Sequence, residues 1–411
     1  MPGSAPFSRR LRGARVQALE RPGGRFYGGP MLSDRPRLQR LRHMRRREPV
    51  DSFASALVDP VRLRGSFAYL GIAFAHFGHI MAEMIHRIVP TRQIDPAPQW
   101  LIVAERGSSA TFDALPALCR KVLALFGVDE TNCTVVSADT IVEHLLIVEA
   151  GSDLGGGPKD WYLDLLRTAG PVPIAPDARY PAKVYVSRSG LGADSGILGE
   201  SVLEAALERQ GFDILHSETL PLAEQIAHYA NAQLLLFAEG SACHGVETLG
   251  RNMLGHTVLL NRRDQRRSQF VPVLAPRAAR FDTFHANRYL GSAIVNAQGE
   301  PLTNRGVTAL ALPELAAFLS RIGVAELEPI SPIAYLAAAH HDLECYLARA
   351  AGTGHSEPHG ADAVRATLCA AIEAGGTIAP VRRRERVGAD AVEDEATAPS
   401  DEPSVARFTP D

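Results

Sequence analysis

The sequence contains few cysteines, and none of them is arranged in a pair. Five cysteines are scattered along the 411 residues without a Cys-x-x-Cys motif. The odd number and the scattered positions argue against a disulfide framework and against a zinc knuckle. They suit a reducing compartment.

Long apolar runs are also missing. No stretch approaches eighteen uncharged apolar residues, so no membrane-spanning helix is predicted. The basic N-terminus is not followed by the apolar run of a signal peptide. Lys and Arg total 43 against 46 Asp and Glu, a balance that argues against nucleic-acid binding. We therefore expect a cytoplasmic protein, and the 46% hydrophobic content is ordinary for a globular chain.

Positive charge is concentrated at the start of the chain. The first fifty residues hold thirteen arginines against three acidic residues. This composition predicts a basic, partly disordered N-terminal arm over residues 1–60, which is either solvated or in peripheral contact with anionic lipid at the inner face of the membrane. At the other end, residues 376–411 are charged and rich in Pro and Ala, which predicts a disordered tail.

Strand and helix patterns alternate between these two ends. Short apolar runs at residues 100–104 and 233–237 have the pattern of buried strands, and residues 113–126 and 222–230 have that of amphipathic helices. Such alternation predicts α/β domains with parallel sheets. The expected units are an N-terminal α/β domain at 61–150, a linker at 151–180, a C-terminal α/β domain at 181–330 and C-terminal helices at 331–375.

A first group of polar residues lies in a helix predicted from His76 to Ile88, before Pro90. His79, Glu83 and Arg87 are spaced four residues apart and therefore share one face of that helix. Three interpretations are open. The residues on this face form a structural Glu83–Arg87 ion pair, a metal site, or a catalytic site with His79 or Glu83 as general base. The candidate metal ligands are His76, His79, Glu83 and His86.

Two further groups follow predicted strands in the second half of the chain. Arg188 stands at the carboxyl end of a strand, where ligands bind in open α/β sheets, and its guanidinium suits a phosphate. Residues 238–244 form a small-residue turn before a helix, which leaves backbone N–H groups for an anion. Glu224 and Gln225 lie in the helix that precedes this strand.

Taken in order, the three groups resemble glycosyltransferase family 61. Its N-terminal block reads approximately Asn/His-x-x-His-x-x-x-Glu-x-x-x-Arg, and the matching residues here are His76, His79, Glu83 and Arg87. Its second block runs from a strand ending in Ser-Arg to a Gly-Ala/Ser turn, and the matching residues are 184–188, Glu200, 211–212, 224–225 and 239–241. The similarity spans about residues 65–262. Glu239 stands where many members have His, and their Thr-Asn pair is missing near His244.

The resemblance implies an α/β, GT-B-like fold of two facing Rossmann-like domains with flexible tails, the first on the acceptor side. It also implies inverting transfer of a sugar from a nucleotide-sugar donor to a hydroxyl of a glycan or polysaccharide, as in capsule biosynthesis, with no essential metal and no other cofactor. The implied catalytic residues are His79, Glu83 and His76. The implied nucleotide-sugar ligands are Arg188, Gln225, Glu239, Gly240, Ser241 and His244, with Arg87 and Glu224 in support.

Two rival functions stay open at this point. One is a metal-dependent hydrolase that uses His76, His79, Glu83 and His86. The other is a catalytically inactive nucleotide-sugar-binding protein. The sequence does not identify the sugar, the nucleotide base or the acceptor.

Overall fold

Two large β-sheets, each with its own hydrophobic core, organise the chain in the computed structural model. The structure describes residues 5–20, 26–172, 174, 176–191, 194–263, 268–285, 287–296 and 299–352, with 362, 365–366 and 370. The tail predicted at 376–411 lies outside these residues. The α/β class predicted from the sequence is confirmed.

The first sheet is mixed and has seven strands. Its strands are β1 (Ser8–Glu20), β2 (Phe26–Pro30), β5 (Asp51–Ser52), β6 (Val61–Ile72), β7 (Trp100–Val103), β8 (Cys133–Val136) and β9 (Thr140–Val148). A separate two-stranded hairpin, β3 (Met44–Arg45) and β4 (Glu48–Pro49), lies between β2 and β5 in the chain. The order across the sheet is β5-β2-β1-β9-β6-β7-β8. Strands β9, β6, β7 and β8 run parallel, and β1 joins β9 in the antiparallel sense.

The basic, partly disordered arm predicted at residues 1–60 is wrong where the structure describes this segment. Strand β1 lies inside the sheet, between β2 and β9, and pairs with β9 from Ser8↔Val148 to Val16↔Thr140. Four of its apolar residues are buried: Ala14, Val16, Ala18 and Leu19. Arginines fill its exposed positions: Arg9, Arg10, Arg12 and Arg15. Their charge masked a strand pattern, because composition averages over both faces of a strand.

The second sheet has five parallel strands. They are β10 (Lys183–Ser187), β12 (Asp213–His216), β13 (Leu234–Ala238), β14 (Leu254–Leu260) and β15 (Ala278–Phe284). The order is β12-β10-β13-β14-β15, so the chain reverses its direction of winding between β10 and β13. In doubly wound sheets the carboxyl ends of two such strands border the ligand crevice.

A small sheet and a helical layer complete the second unit. The small sheet consists of β11 (Gly196–Leu198), β16 (Arg288–Gly291) and β17 (Val307–Ala309). The α-helices among the described residues are α1 (Pro36–Gln39), α2 (Phe77–His79), α3 (Ile88–Arg92), α4 (Ala117–Leu125), α5 (Asp160–Ala169), α6 (Glu200–Glu208), α7 (Leu222–Asn231), α8 (Val271–Leu274), α9 (Leu312–Arg321) and α10 (Pro332–Gly352). Helix α10 buries Tyr335, Leu343 and Tyr346 in the core of the second unit. Within the described part of the chain, no helix has the length and apolarity needed to cross a bilayer.

The helix that carries the first polar group contains a π-turn. Helix α2 is followed by the π-helical turn Ile80–Met84, the 3₁₀ turn Ile85–Arg87 and helix α3. The helical segment therefore runs past Pro90, whereas the sequence predicted that it would end before this residue. Proline is tolerated here because Pro90 lies in the first turn of α3, where backbone N–H groups have no partner within the helix. The π-turn also shifts Arg87 relative to Glu83, so regular four-residue spacing no longer places them side by side.

We expect deletion of residues 1–20 to unfold the protein. The deletion removes a strand from within the sheet, and burial of Val16 and Leu19 alone is worth about 3–6 kcal/mol. That is a large share of the roughly 5–15 kcal/mol that stabilises a typical domain. Thermal melts followed by circular dichroism check this, with deletion of residues 376–411 as the control. A 1–20 deletion that melts at the wild-type temperature would contradict the sheet order.

Candidate active site

A cavity lies between the helical segment Phe77–Arg92 of the first unit and the 3₁₀ helix Ser241–Thr248 of the second. Its walls come from both units and from the loop between β9 and α5: His76, Gly78, His79, Leu154, Ser241, His244, Arg263, Gln269 and Phe270. The structure thus brings together the first and third residue groups singled out in the sequence. They are 160 residues apart in the chain and meet only in the fold.

Glu83 is a buried carboxylate at the first-unit side of this cavity. Its Oε2 atom lies 2.6 Å from His43 Nε2 and 2.7 Å from Arg45 Nε, and its Oε1 atom lies 2.5 Å from His79 Nδ1. Burial raises the pKa of Glu83, but the hydrogen bonds from His43 and His79 and the charge of Arg45 hold that pKa well below its usual value. Glu83 therefore stays ionised and is better suited to orient His79 than to accept a proton itself.

Arg87 supports this arrangement through the backbone. Its Nη2 atom donates to the carbonyl oxygens of Leu41 at 3.0 Å and Arg42 at 2.8 Å, and its guanidinium lies over the Tyr69 ring. These bonds hold the segment that delivers His43 and Arg45 to Glu83. The Glu83–Arg87 ion pair considered from the sequence is not formed. Arg87 is buried, and burial lowers its pKa.

The hydrogen bonds of His79 and His76 give the two rings opposite tautomers. His79 Nδ1 faces a carboxylate, which can only accept, so Nδ1 carries the hydrogen and Nε2 carries the lone pair of the neutral ring. His76 caps helix α2, and its Nδ1 accepts from the Gly78 N–H at 3.2 Å, so its Nε2 carries the hydrogen. His79 therefore presents a basic nitrogen, and His76 presents a donor.

A second buried carboxylate, Glu247, lies at the opposite side of the cavity. Its Oε1 atom lies 2.6 Å from His244 Nδ1. Its Oε2 atom lies 3.0 Å from His86 Nε2, an ionic contact whose angle falls outside that of a regular hydrogen bond. Burial raises the pKa of Glu247, but the hydrogen bond from His244 and the close approach of His86 bring that pKa down to about 2.

The candidate metal ligands do not converge. His86 turns to Glu247 and to the Tyr162 hydroxyl, 3.2 Å from its Nδ1, while Glu83 is occupied by His43, Arg45 and His79. In the described ranges, no three His, Cys, Asp or Glu side chains are grouped so that they could hold a metal ion.

Three arginines gather at the carboxyl ends of β10 and β14. Arg188 follows β10, and Arg262 and Arg263 follow β14. Arg188 is buried, and its Nε atom has no hydrogen-bond partner among the described residues. Burial first, and then the neighbouring charges of Arg188 and Arg263, lower the pKa of Arg262 to about 9. Buried cations that repel one another form a place for an anion.

Gly240 allows Arg188 to reach the turn after β13. A Cβ atom at position 240 would overlap the Arg188 guanidinium, so a larger residue there would displace Arg188 from this turn. Ser241 then opens the 3₁₀ helix and lines the cavity. The strand reversal between β10 and β13 is what brings these two strand ends together.

The other residues predicted as ligands occupy supporting positions. Glu239 is fully buried and accepts from the backbone N–H groups of Arg262 at 2.8 Å and Arg263 at 3.0 Å, so it shapes the loop that carries those arginines. Gln225 donates to the Ser217 and Leu220 carbonyls. The Glu224 side chain is exposed. Direct contacts of Gln225, Glu239 and Glu224 with a ligand stay predictions.

The sequence did not single out five residues that the site uses: His43, Arg45, Glu247, Arg262 and Arg263. A signal existed for the last two, because they follow a buried strand as Arg188 does. His43 and Arg45 were hidden in the arginine-rich segment, and Glu247 looked like an ordinary helical residue.

The comparison with known families covers the segment that carries most of these residues. Residues 77–249 match the family described as Glycosyltransferase 61. No curated protein matches the chain. The matched segment contains both histidine–carboxylate pairs, Arg188 and the Gly240 turn. The resemblance found in the sequence is therefore confirmed over residues 77–249, the part of the chain that matches the Glycosyltransferase 61 family.

Proposed function

We propose that this glycosyltransferase inverts the anomeric carbon as it moves a sugar from a nucleoside-diphosphate donor to a hydroxyl group of a glycan, such as a capsule-type polysaccharide. The observation that carries the proposal is that His79 and Arg263 line one cavity between the two units. A basic nitrogen and a cation are the two groups that such a transfer requires on opposite sides of the reacting carbon. In this proposal the two units form a GT-B-like arrangement, with the acceptor on the first unit.

His79 is the proposed base. As the acceptor hydroxyl oxygen bonds to the anomeric carbon, its proton passes to His79 Nε2. The bond from that carbon to the diphosphate oxygen breaks, and its electron pair leaves with the diphosphate. Glu83 keeps the His79 ring oriented and stabilises the imidazolium that forms, because it remains ionised. Of the two candidates weighed from the sequence, this favours His79 as base and Glu83 as its positioning residue.

The diphosphate is expected at the arginine cluster. Arg188 and Arg263 offer guanidinium groups, and the start of the 3₁₀ helix at Ser241 offers backbone N–H groups. Preorganised positive charge of this kind stabilises the negative charge that grows on the leaving group. The rival hydrolase has less support, because its four ligands point to different partners. The inactive binding protein differs from the enzyme in turnover alone.

We expect Arg188→Ala to weaken nucleotide binding. Hydrogen bonds to charged groups contribute about 1.5–3 kcal/mol each, so affinity should fall by roughly ten- to a hundredfold. Thermal shift against a panel of nucleoside diphosphates and nucleotide sugars measures this, because a ligand of the folded state raises its stability. Arg179→Ala, at an exposed arginine paired with Asp177, is the control. Equal affinities for wild type and a folded Arg188→Ala variant would refute the donor site.

We expect His79→Ala to bind nucleotide normally and to lose about 10²–10⁴-fold in turnover, the range typical of a positioned base. His76→Ala is the matched control, because its ring lies in the same wall but presents a donor nitrogen, and it should retain more activity. Turnover, nucleotide affinity and melting temperature are measured on the same preparations. A His79→Ala enzyme that is destabilised yet fully active in its folded fraction would show that the residue is structural.

A further inference from the structure

Glu247 is a buried carboxylate that the proposed transfer does not use. It is 1% exposed, and each of its oxygens faces an imidazole from a different unit. Oε1 meets His244 at 2.6 Å, and Oε2 meets His86 at 3.0 Å. Burying a carboxylate is costly unless both oxygens are paired, so this double contact fixes the carboxylate from two sides.

The fixed carboxylate determines what His244 can do. Because Nδ1 donates to Glu247, the neutral ring carries its lone pair on Nε2. The ring is also confined by packing. Phe270 packs edge-on with ring centroids 4.9 Å apart, and a side chain at Gly78 would come within 3.3 Å of His244 Cδ2. His244 lines the cavity, so Nε2 is the ring nitrogen that acts there as an acceptor.

The place of His244 in the cavity indicates the group that it would meet. It belongs to the same 3₁₀ helix as Ser241, and Arg263 lies in the same wall with its guanidinium over the Phe270 ring. A sugar attached to a diphosphate at Ser241 and Arg263 would have its ring beside Phe270. Its hydroxyl groups are donors, and a neutral imidazole Nε2 is the matching acceptor.

We propose that Glu247 positions His244 to accept a hydrogen bond from a hydroxyl group of the transferred sugar, and that His86 holds Glu247 in place. The inference rests on the proposed function, because it takes the donor sugar to occupy this cavity. His244 then contributes to the choice of sugar, and Glu247 and His86 are positioning residues.

The positioning role has a spectroscopic test that needs no substrate. Long-range proton–nitrogen NMR on histidine-labelled protein should find His244 protonated at Nδ1 and unprotonated at Nε2, with the signal assigned by its loss in His244→Gln. Glu247→Leu, which keeps the volume and removes the acceptor, should shift His244 toward the Nε2-protonated form. An unchanged tautomer in Glu247→Leu would overturn the positioning role.

The ligand role is tested by comparing two affinities. The probes are the nucleotide sugar that most stabilises wild type and the nucleoside diphosphate of the same base. Glu247→Leu should weaken binding of the nucleotide sugar and raise its KM by about two- to tenfold, in line with the loss of one hydrogen bond between neutral groups, and should leave the nucleoside diphosphate unaffected. If Glu247→Leu does not fold, His244→Gln gives the same comparison.

The outcomes separate this inference from the proposed function. If Glu247→Leu weakens the binding of nucleotide sugar and of nucleoside diphosphate equally, or weakens neither, the inference is overturned. Binding of the nucleotide sugar by wild type would still support the transferase in that case. A wild type that binds no nucleotide sugar would overturn both. Monodeoxy donor sugars then identify the hydroxyl, because the one that His244 contacts should be penalised in wild type and not in Glu247→Leu.

Discussion

Two buried carboxylates, Glu83 and Glu247, determine the chemistry of the cavity. Glu83 contacts Nδ1 of His79 with one oxygen and Nε2 of His43 with the other. Glu247 contacts Nδ1 of His244 with one oxygen and Nε2 of His86 with the other. Since a buried carboxylate is stable only with its donors in place, the fold must deliver those donors accurately. Both rings therefore use Nδ1 for the carboxylate, and both rings line the cavity between the units.

The rest of the architecture supplies these donors. The antiparallel strands at the start of the chain lead into the segment that carries His43 and Arg45, and Arg87 ties that segment down through its carbonyl groups. In the second unit, the strand reversal between β10 and β13 brings Arg188 to Gly240. Glu239 holds the loop of Arg262 and Arg263 by accepting hydrogen bonds from their backbone N–H groups.

Local spacing predicted part of this site. The four-residue interval between His79 and Glu83 was sufficient to predict their contact. The position of Arg188 directly after a predicted strand was sufficient to place it at the carboxyl edge of the second sheet. The same regular spacing failed for Arg87, because the π-turn at Ile80–Met84 breaks it. The strand pattern of Ser8–Glu20 was concealed by its exposed arginines. The contact of Glu247 with His86 joins two residues that are 161 positions apart in the chain, and no local pattern encodes it. The cytoplasmic location, the peripheral membrane contact and the domain boundaries other than the corrected arm stay predictions.

The central claim is that His79 and Glu83 act as one catalytic unit, and a double-mutant cycle on turnover tests it most directly. His79→Gln, Glu83→Gln and the double variant are compared with wild type at saturating donor, on protein that retains nucleotide binding. Residues that act as a unit are strongly non-additive, so the double variant should be about as slow as the slower single variant. Losses that multiply in the double variant would show that the two residues act independently and would contradict the account.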